Sequence, residues 1–83
     1  MERSTDIYKR FGRFIAAKRV EQNKKQIDVA EYAGISQSYL SAMEIGIRRI
    51  DLDVAFAVCN ALDVDMREFV ESEMKLDKET LAV

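Results

Sequence analysis

Eighty-three residues at 9.5 kDa fit one domain, and a chain this short buries only about 60–65% of its unfolded surface, so its core must be small and helix-driven. Hydrophobic residues at 48% and charged residues at 34% match neither a disordered chain nor a membrane protein, and the absence of proline with only three glycines leaves too few turn formers for an all-β fold. One cysteine and no histidine exclude a disulfide framework and a structural zinc site, and remove the usual nucleophile–histidine pairs of catalysis.

An enzyme is therefore not expected, nor a metal or organic cofactor. No apolar stretch approaches the roughly 20 residues that span a bilayer, and the N-terminal MERSTDIYKR lacks a signal-peptide hydrophobic region, so the expected setting is a reducing cytoplasm without a membrane partner. The net charge of −2 hides an asymmetry: residues 1–49 hold ten Lys or Arg against six Asp or Glu (+4), and residues 50–83 hold three against nine (−6). A phosphate backbone responds to the local field within about 10 Å, so the first half can attract nucleic acid although the whole chain is acidic.

In chain order, Ser4, Thr5 and Asp6 offer caps for a first helix over residues 6–22, with Ile7, Phe11, Phe14, Ile15 and Val20 on a 3–4 spacing. Asn23 tolerates the left-handed conformation that ends helices. Gln26–Ala33 carries Ile27, Val29, Ala30 and Ala33, enough for two turns, and Gly34 supplies a tight corner. Ser36 caps a third helix running to Ile45. At 100° per residue, Tyr39, Leu40 and Met43 fall on one side and Ser38, Ser41, Ala42 and Ile45 on the other.

Gly46 ends that helix, and a basic loop leads to Asp51 or Asp53 as the cap of a fourth, whose expected apolar stripe is Leu52, Ala55, Phe56, Cys59 and Leu62. Asp63 suits another left-handed terminus, and Asp65 caps a short fifth helix with Met66, Phe69 and Val70, ending near residue 73. The reading is an all-α domain of five helices over residues 1–74, followed by a C-terminal tail at 75–83.

Two short helices around a glycine corner, the first opening on Gln26 and the second on a capped polar face, describe a helix-turn-helix. A B-form major groove about 12 Å wide accepts one α-helix with small exposed side chains, and Ser38, Ser41 and Ala42 meet that condition. Gln37, in the first turn, carries the paired donor and acceptor that suit adenine. Over residues 11–70 the chain resembles the phage-repressor and Cro-like (XRE-type) helix-turn-helix family. The likeness rests on Gly12, Ile15 and Arg19; Gln26-x-x-Val29-Ala30; Gly34-Ile35-Ser36; Leu40-Ser41-x-x-Glu44-x-Gly46; and Leu62-x-Val64 with Phe69. Within it, Ser38-Tyr39-Leu40-Ser41 looks most like restriction–modification controller proteins and relatives of the biofilm master regulator.

The resemblance implies a compact lambda-repressor-like fold and a homodimer on double-stranded DNA, one recognition helix per half-site. By position it implies base-facing roles for Gln37, Ser38, Ser41 and Ala42, phosphate or groove-edge contacts from Gln26, Tyr39 and Arg48, with a base as the alternative for Arg48, and an Arg19–Glu44 ion pair linking the first helix to the third. The residues themselves add Ser36, at a helix start, and Arg49, in the basic loop, as backbone contacts. The sequence departs from the family where Lys24 replaces an apolar residue, Ile50 a proline, and Ile45 an arginine. The last change removes a phosphate contact or places an apolar group at a thymine methyl.

Plainer readings stand beside these. Gln26 and Gln37 are either helix-surface amides or DNA contacts, and their place at two helix starts favours contact. Ser36 serves better as a cap than as a base reader, and Ser38 and Ser41 have a solvated face as their alternative. Arg48 and Arg49 are loop solubilisers or phosphate clamps. Cys59 reads as a small buried hydrophobe rather than a redox sensor. Met66, Phe69, Val70 and Met74 exceed the apolar need of a last short helix, so a symmetric dimer contact is favoured over closure of the core. The leading function is a sequence-specific regulator, with a repressor favoured. The alternatives are a protein-interaction module binding a regulatory protein partner, and an antitoxin with toxin binding in its tail.

Overall fold

The computed structural model describes the backbone of residues 3–81 and the side chains of residues 7–76. Five helices follow in order: α1 (Arg3–Glu21), α2 (Gln26–Ala33), α3 (Gln37–Glu44), α4 (Leu52–Ala61) and α5 (Met66–Leu81), with no strand among the described residues. The corners fall where backbone chemistry requires them. Asn23 and Asp63 take φ of 57° and 52°, and Gly34 takes φ of 75° while its N–H bonds Glu31 O at 3.2 Å. Ser36 caps α3 by accepting from Tyr39 N at 3.1 Å, and Asp65 accepts from Arg67 N at 2.9 Å. Asp51 occupies the position before α4, where its carbonyl accepts from Ala55 N at 3.0 Å without any side-chain cap bond.

The core gathers Ile15 from α1, Val29 from α2, Leu40 and Met43 from α3, Val58 and Cys59 from α4, and Leu62, each at 2% exposure or less. Gly12 lets α1 lie directly on the end of α3: a Cβ there would collide with Met43 O and stand 3.0 Å from Glu44 O. Around Phe69 the aromatic rings close the α1–α5 seam, edge-on to Phe11 at 5.1 Å and tilted to Phe14 at 5.5 Å. Ion pairs bracket that seam, Arg10 to Glu73 at 2.7 Å and Lys18 to Glu68 at 2.8 Å. Cys59 is indeed a buried small hydrophobe, its Sγ 3.5 Å from Met66 Sδ.

Three expectations change. Ser4, Thr5 and Asp6 lie inside α1 instead of capping it, since such residues cost a helix only about 0.5 kcal/mol each. The fifth helix does not stop near residue 73: Met66–Leu81 contains neither glycine nor proline, and the stretch expected as a tail is helical to Leu81. Of the stripe expected for the fourth helix, Ala55, Cys59 and Leu62 are buried as expected, but Leu52 is 67% and Phe56 49% exposed while Val58 is fully buried. That helix is apolar nearly all round, so periodicity alone did not select its inward face.

Candidate nucleic-acid interface

The side of α3 opposite Leu40 and Met43 is open. Gln37 and Ser38 are exposed and Ser41 and Ala42 half-buried; with Gln26, Ile45 and Ile47 they line one shallow concavity of about 590 Å3. The concavity is fixed from both ends. Ser36 and Gly34 set where α3 begins, and beyond its C-terminus Ile47 N turns back to bond Ala42 O at 3.2 Å. An eight-residue helix is about 12 Å long, the dimension of the groove it would enter.

Behind this face stands a charged network. Glu44, 9% exposed, accepts Arg19 Nε at 2.7 Å and Nη2 at 3.0 Å in a fork, and also Gln26 Nε2 at 2.9 Å. Arg19 further donates through Nη1 to Lys24 O at 2.8 Å. The guanidinium is held above its ordinary pKa, first by the hydrogen bond to Glu44, against a partial desolvation penalty. A carboxylate only accepts, so Gln26 must turn its NH2 toward Glu44, which leaves its carbonyl oxygen and second N–H for other partners. The predicted ion pair thus has a third member that spacing did not reveal, and it joins α1, the start of α2 and the end of α3.

On the flank, the Arg48 guanidinium lies 4.0 Å from the centre of the Tyr39 ring, and both Arg48 and Arg49 are exposed. The stack holds the Arg48 guanidinium in one direction beside α3. Ser36 is exposed, its hydroxyl oxygen accepting the cap bond and lying 3.5 Å from Ser38 Oγ. The structure therefore brings Gln26, Gln37, Ser38, Ser41 and Ala42 into one concavity, with Ser36 at the start of α3 and Tyr39 and Arg48 paired beside it.

Residues nominated for a dimer contact divide. Phe69 belongs to the monomer core, Met66 is half-buried, and Val70 and Met74 are 45% and 67% exposed. Sequence reasoning passed over Ile47, 74% exposed, whose signal was an apolar side chain in an otherwise basic loop. It also passed over Gln22 and read Lys24 only as a departure from the family; they bond Leu62 O at 2.7 Å and Ala61 O at 3.2 Å and satisfy the end of α4.

A helix-turn-helix family model matches residues 15–69, a span that takes in the corner, α3 and the charged network behind it. The chain belongs to the phage-repressor and Cro-like (XRE-type) helix-turn-helix family. It is a DNA-binding transcription regulator of that family. Among solved structures it is similar to the restriction–modification controller protein C.AhdI from Aeromonas hydrophila, with 26% identity over 78% of this chain and 94% of that one and a TM-score of 0.74. The clp gene regulator ClgR from Corynebacterium glutamicum shares the fold at 21% identity, over 92% of this chain and 86% of that one, with a TM-score of 0.75. The controller protein C.Esp1396I does so at 22% identity, over 83% and 91%, with a TM-score of 0.73; that structure is a tetramer in complex with its natural 35 base-pair operator. Comparison with curated proteins gives no match. Among the described residues no helix is long and apolar enough to cross a membrane, and no cluster of acidic or cysteine side chains has metal-binding geometry.

Proposed function

We propose that this helix-turn-helix regulator binds a two-fold-related operator as a homodimer, one α3 entering the major groove of each half-site, and represses by occupying the DNA that polymerase needs. The observation that carries the reading is the open, small-residue face of α3, with Gln37 and Ser38 exposed, Ser41 half-buried in the same concavity and Arg48 held beside it. In the groove, Gln37 offers an amide to base edges and Ser38 and Ser41 permit close approach. Gln26, Ser36, Tyr39, Arg48 and Arg49 take the phosphates.

The dimer contact is assigned to the α5 stripe Met66–Val70–Met74, spaced i, i+4, i+8; Met66 also lines an apolar groove with exposed Leu52. Two-fold symmetry would then set the recognition helices about 34 Å apart, one turn of DNA. Selection of bound duplexes from a random pool tests all of this at once. The expected product is an inverted repeat with half-sites one helical turn apart; no enrichment at low salt would overturn the reading in favour of a protein-interaction module.

A further inference from the structure

The concavity on α3 is not uniformly polar. Its C-terminal wall is Ala42, Ile45 and Ile47, and the two isoleucines are 64% and 74% exposed. Single apolar side chains on a surface are ordinary, but here two β-branched ones stand in the same hollow as Gln37 and Ser41. The wall is held in place by backbone: Gly46 turns at φ 77° and Ile47 N bonds Ala42 O at 3.2 Å, folding Ile47 back against α3. β-branched side chains are also stiff at χ1, so little freedom is lost when they meet a partner.

We infer that Ala42, Ile45 and Ile47 read the C5-methyl groups of thymines in each half-site. The inference rests on α3 entering the major groove. Of the groups displayed there by the four bases, the thymine methyl is the apolar one; the others are hydrogen-bond donors and acceptors that an isoleucine cannot satisfy. Cytosine in the same place carries only hydrogen at C5, so the hydrocarbon loses its apolar contact there, while its N4 amino group stands where thymine has O4. The wall therefore favours thymine over cytosine at the pyrimidine it covers, and accepts 5-methylcytosine better than cytosine.

The test takes the duplex selected by the full chain and replaces each thymine in turn by deoxyuridine, which removes the methyl and keeps the pairing. At one or two positions per half-site the affinity should fall about fourfold per methyl, corresponding to about 0.8 kcal/mol. The Ile45→Ala/Ile47→Ala chain should bind thymine and uracil duplexes alike, and changing the same thymine to cytosine and then to 5-methylcytosine should recover part of the loss for the native chain. Equal binding of thymine and uracil duplexes by the native chain would overturn the inference, as would a selected half-site without thymine. So would a uracil penalty that persists in the double variant, since it would report DNA shape rather than contact. If the variant fails to fold, the thymine–uracil comparison on the native chain still decides. Failure of the native chain to bind any duplex at low salt is a different result: it removes the groove reading itself, and the methyl inference with it.

Discussion

Helices α3 and α5 each turn one side to the core and leave another side without a partner in the monomer, yet the two free sides differ in kind. The open face of α3 is small and polar, is bounded by corners that stop the helix after eight residues, and has a stacked guanidinium at its edge. On α5 the free stripe is Val70 and Met74, set among carboxylates on a helix of sixteen residues. Small side chains beside a fixed cation suit a polyanionic groove, whereas an apolar stripe rimmed by acids repels DNA and suits a second copy of the chain. Of the charges in the +4 and −6 halves of the sequence, Arg48 and Arg49 follow α3, while Glu68, Glu71 and Glu73 lie on α5.

The contrast depends first on α3 being held rigidly. Glu44→Ala would leave Arg19 without its fork and Gln26 without its acceptor, with side chains that are 17% exposed for Arg19 and 6% for Glu44 itself. A loss of about 3 kcal/mol is expected, the low end for breaking a buried pair, read from urea unfolding of the full chain. Removing Arg67 from its exposed pair with Asp65 should leave the unfolding midpoint where it was. If the two variants melt alike, Glu44 does not anchor α3.

Next in size is the α5 stripe. Val70→Glu combined with Met74→Glu deletes two apolar contacts per subunit and adds like charges, so the proposed dimer should weaken by about 2.7 kcal/mol, a hundredfold in Kd. Sedimentation equilibrium gives the answer, and an unchanged association constant would move the interface elsewhere. The α3 face divides more finely. Gln37→Ala should cost about 1–3 kcal/mol on the selected operator and little on random duplex, while Arg48→Ala should weaken both and flatten the salt slope by about one. Equal losses on both DNAs for Gln37→Ala would remove it from base reading.

The segment from Gln26 to Gly46 was legible because chemistry punctuates it: Gly34, Ser36 and Gly46 each have one good structural use, and between them only one face of α3 is apolar enough to bury. No such punctuation follows Val70, so the length of α5 could not be read from residue preferences alone. Phe69 was misjudged for a related reason. Its partners Phe11 and Phe14 lie more than fifty residues earlier, and a monomer core and a dimer seam use the same side chains. The third member of the Arg19–Glu44 network was hidden because an amide eighteen residues from its acceptor has no periodic signature.

The smallest effect concerns Cys59, the one thiol, which is buried in α4 against Met66 at the start of α5. Burial, with a smaller contribution from Asp65, pushes its pKa up to about 11. A thiol whose pKa is raised by folding stabilises the fold fully below its unfolded pKa, about 8.5, and loses that contribution as pH rises toward the folded value. The native chain should therefore lose stability between about pH 9 and 11 more steeply than Cys59→Ala, a difference that cancels the shared titration of lysines and tyrosines. At pH 8 the folded protein should react with iodoacetamide no faster than it opens, because the thiolate is scarce and covered. Rapid alkylation with DNA binding intact would mean that the α4–α5 seam opens while α3 stays in place, and the two surfaces would then be mechanically independent.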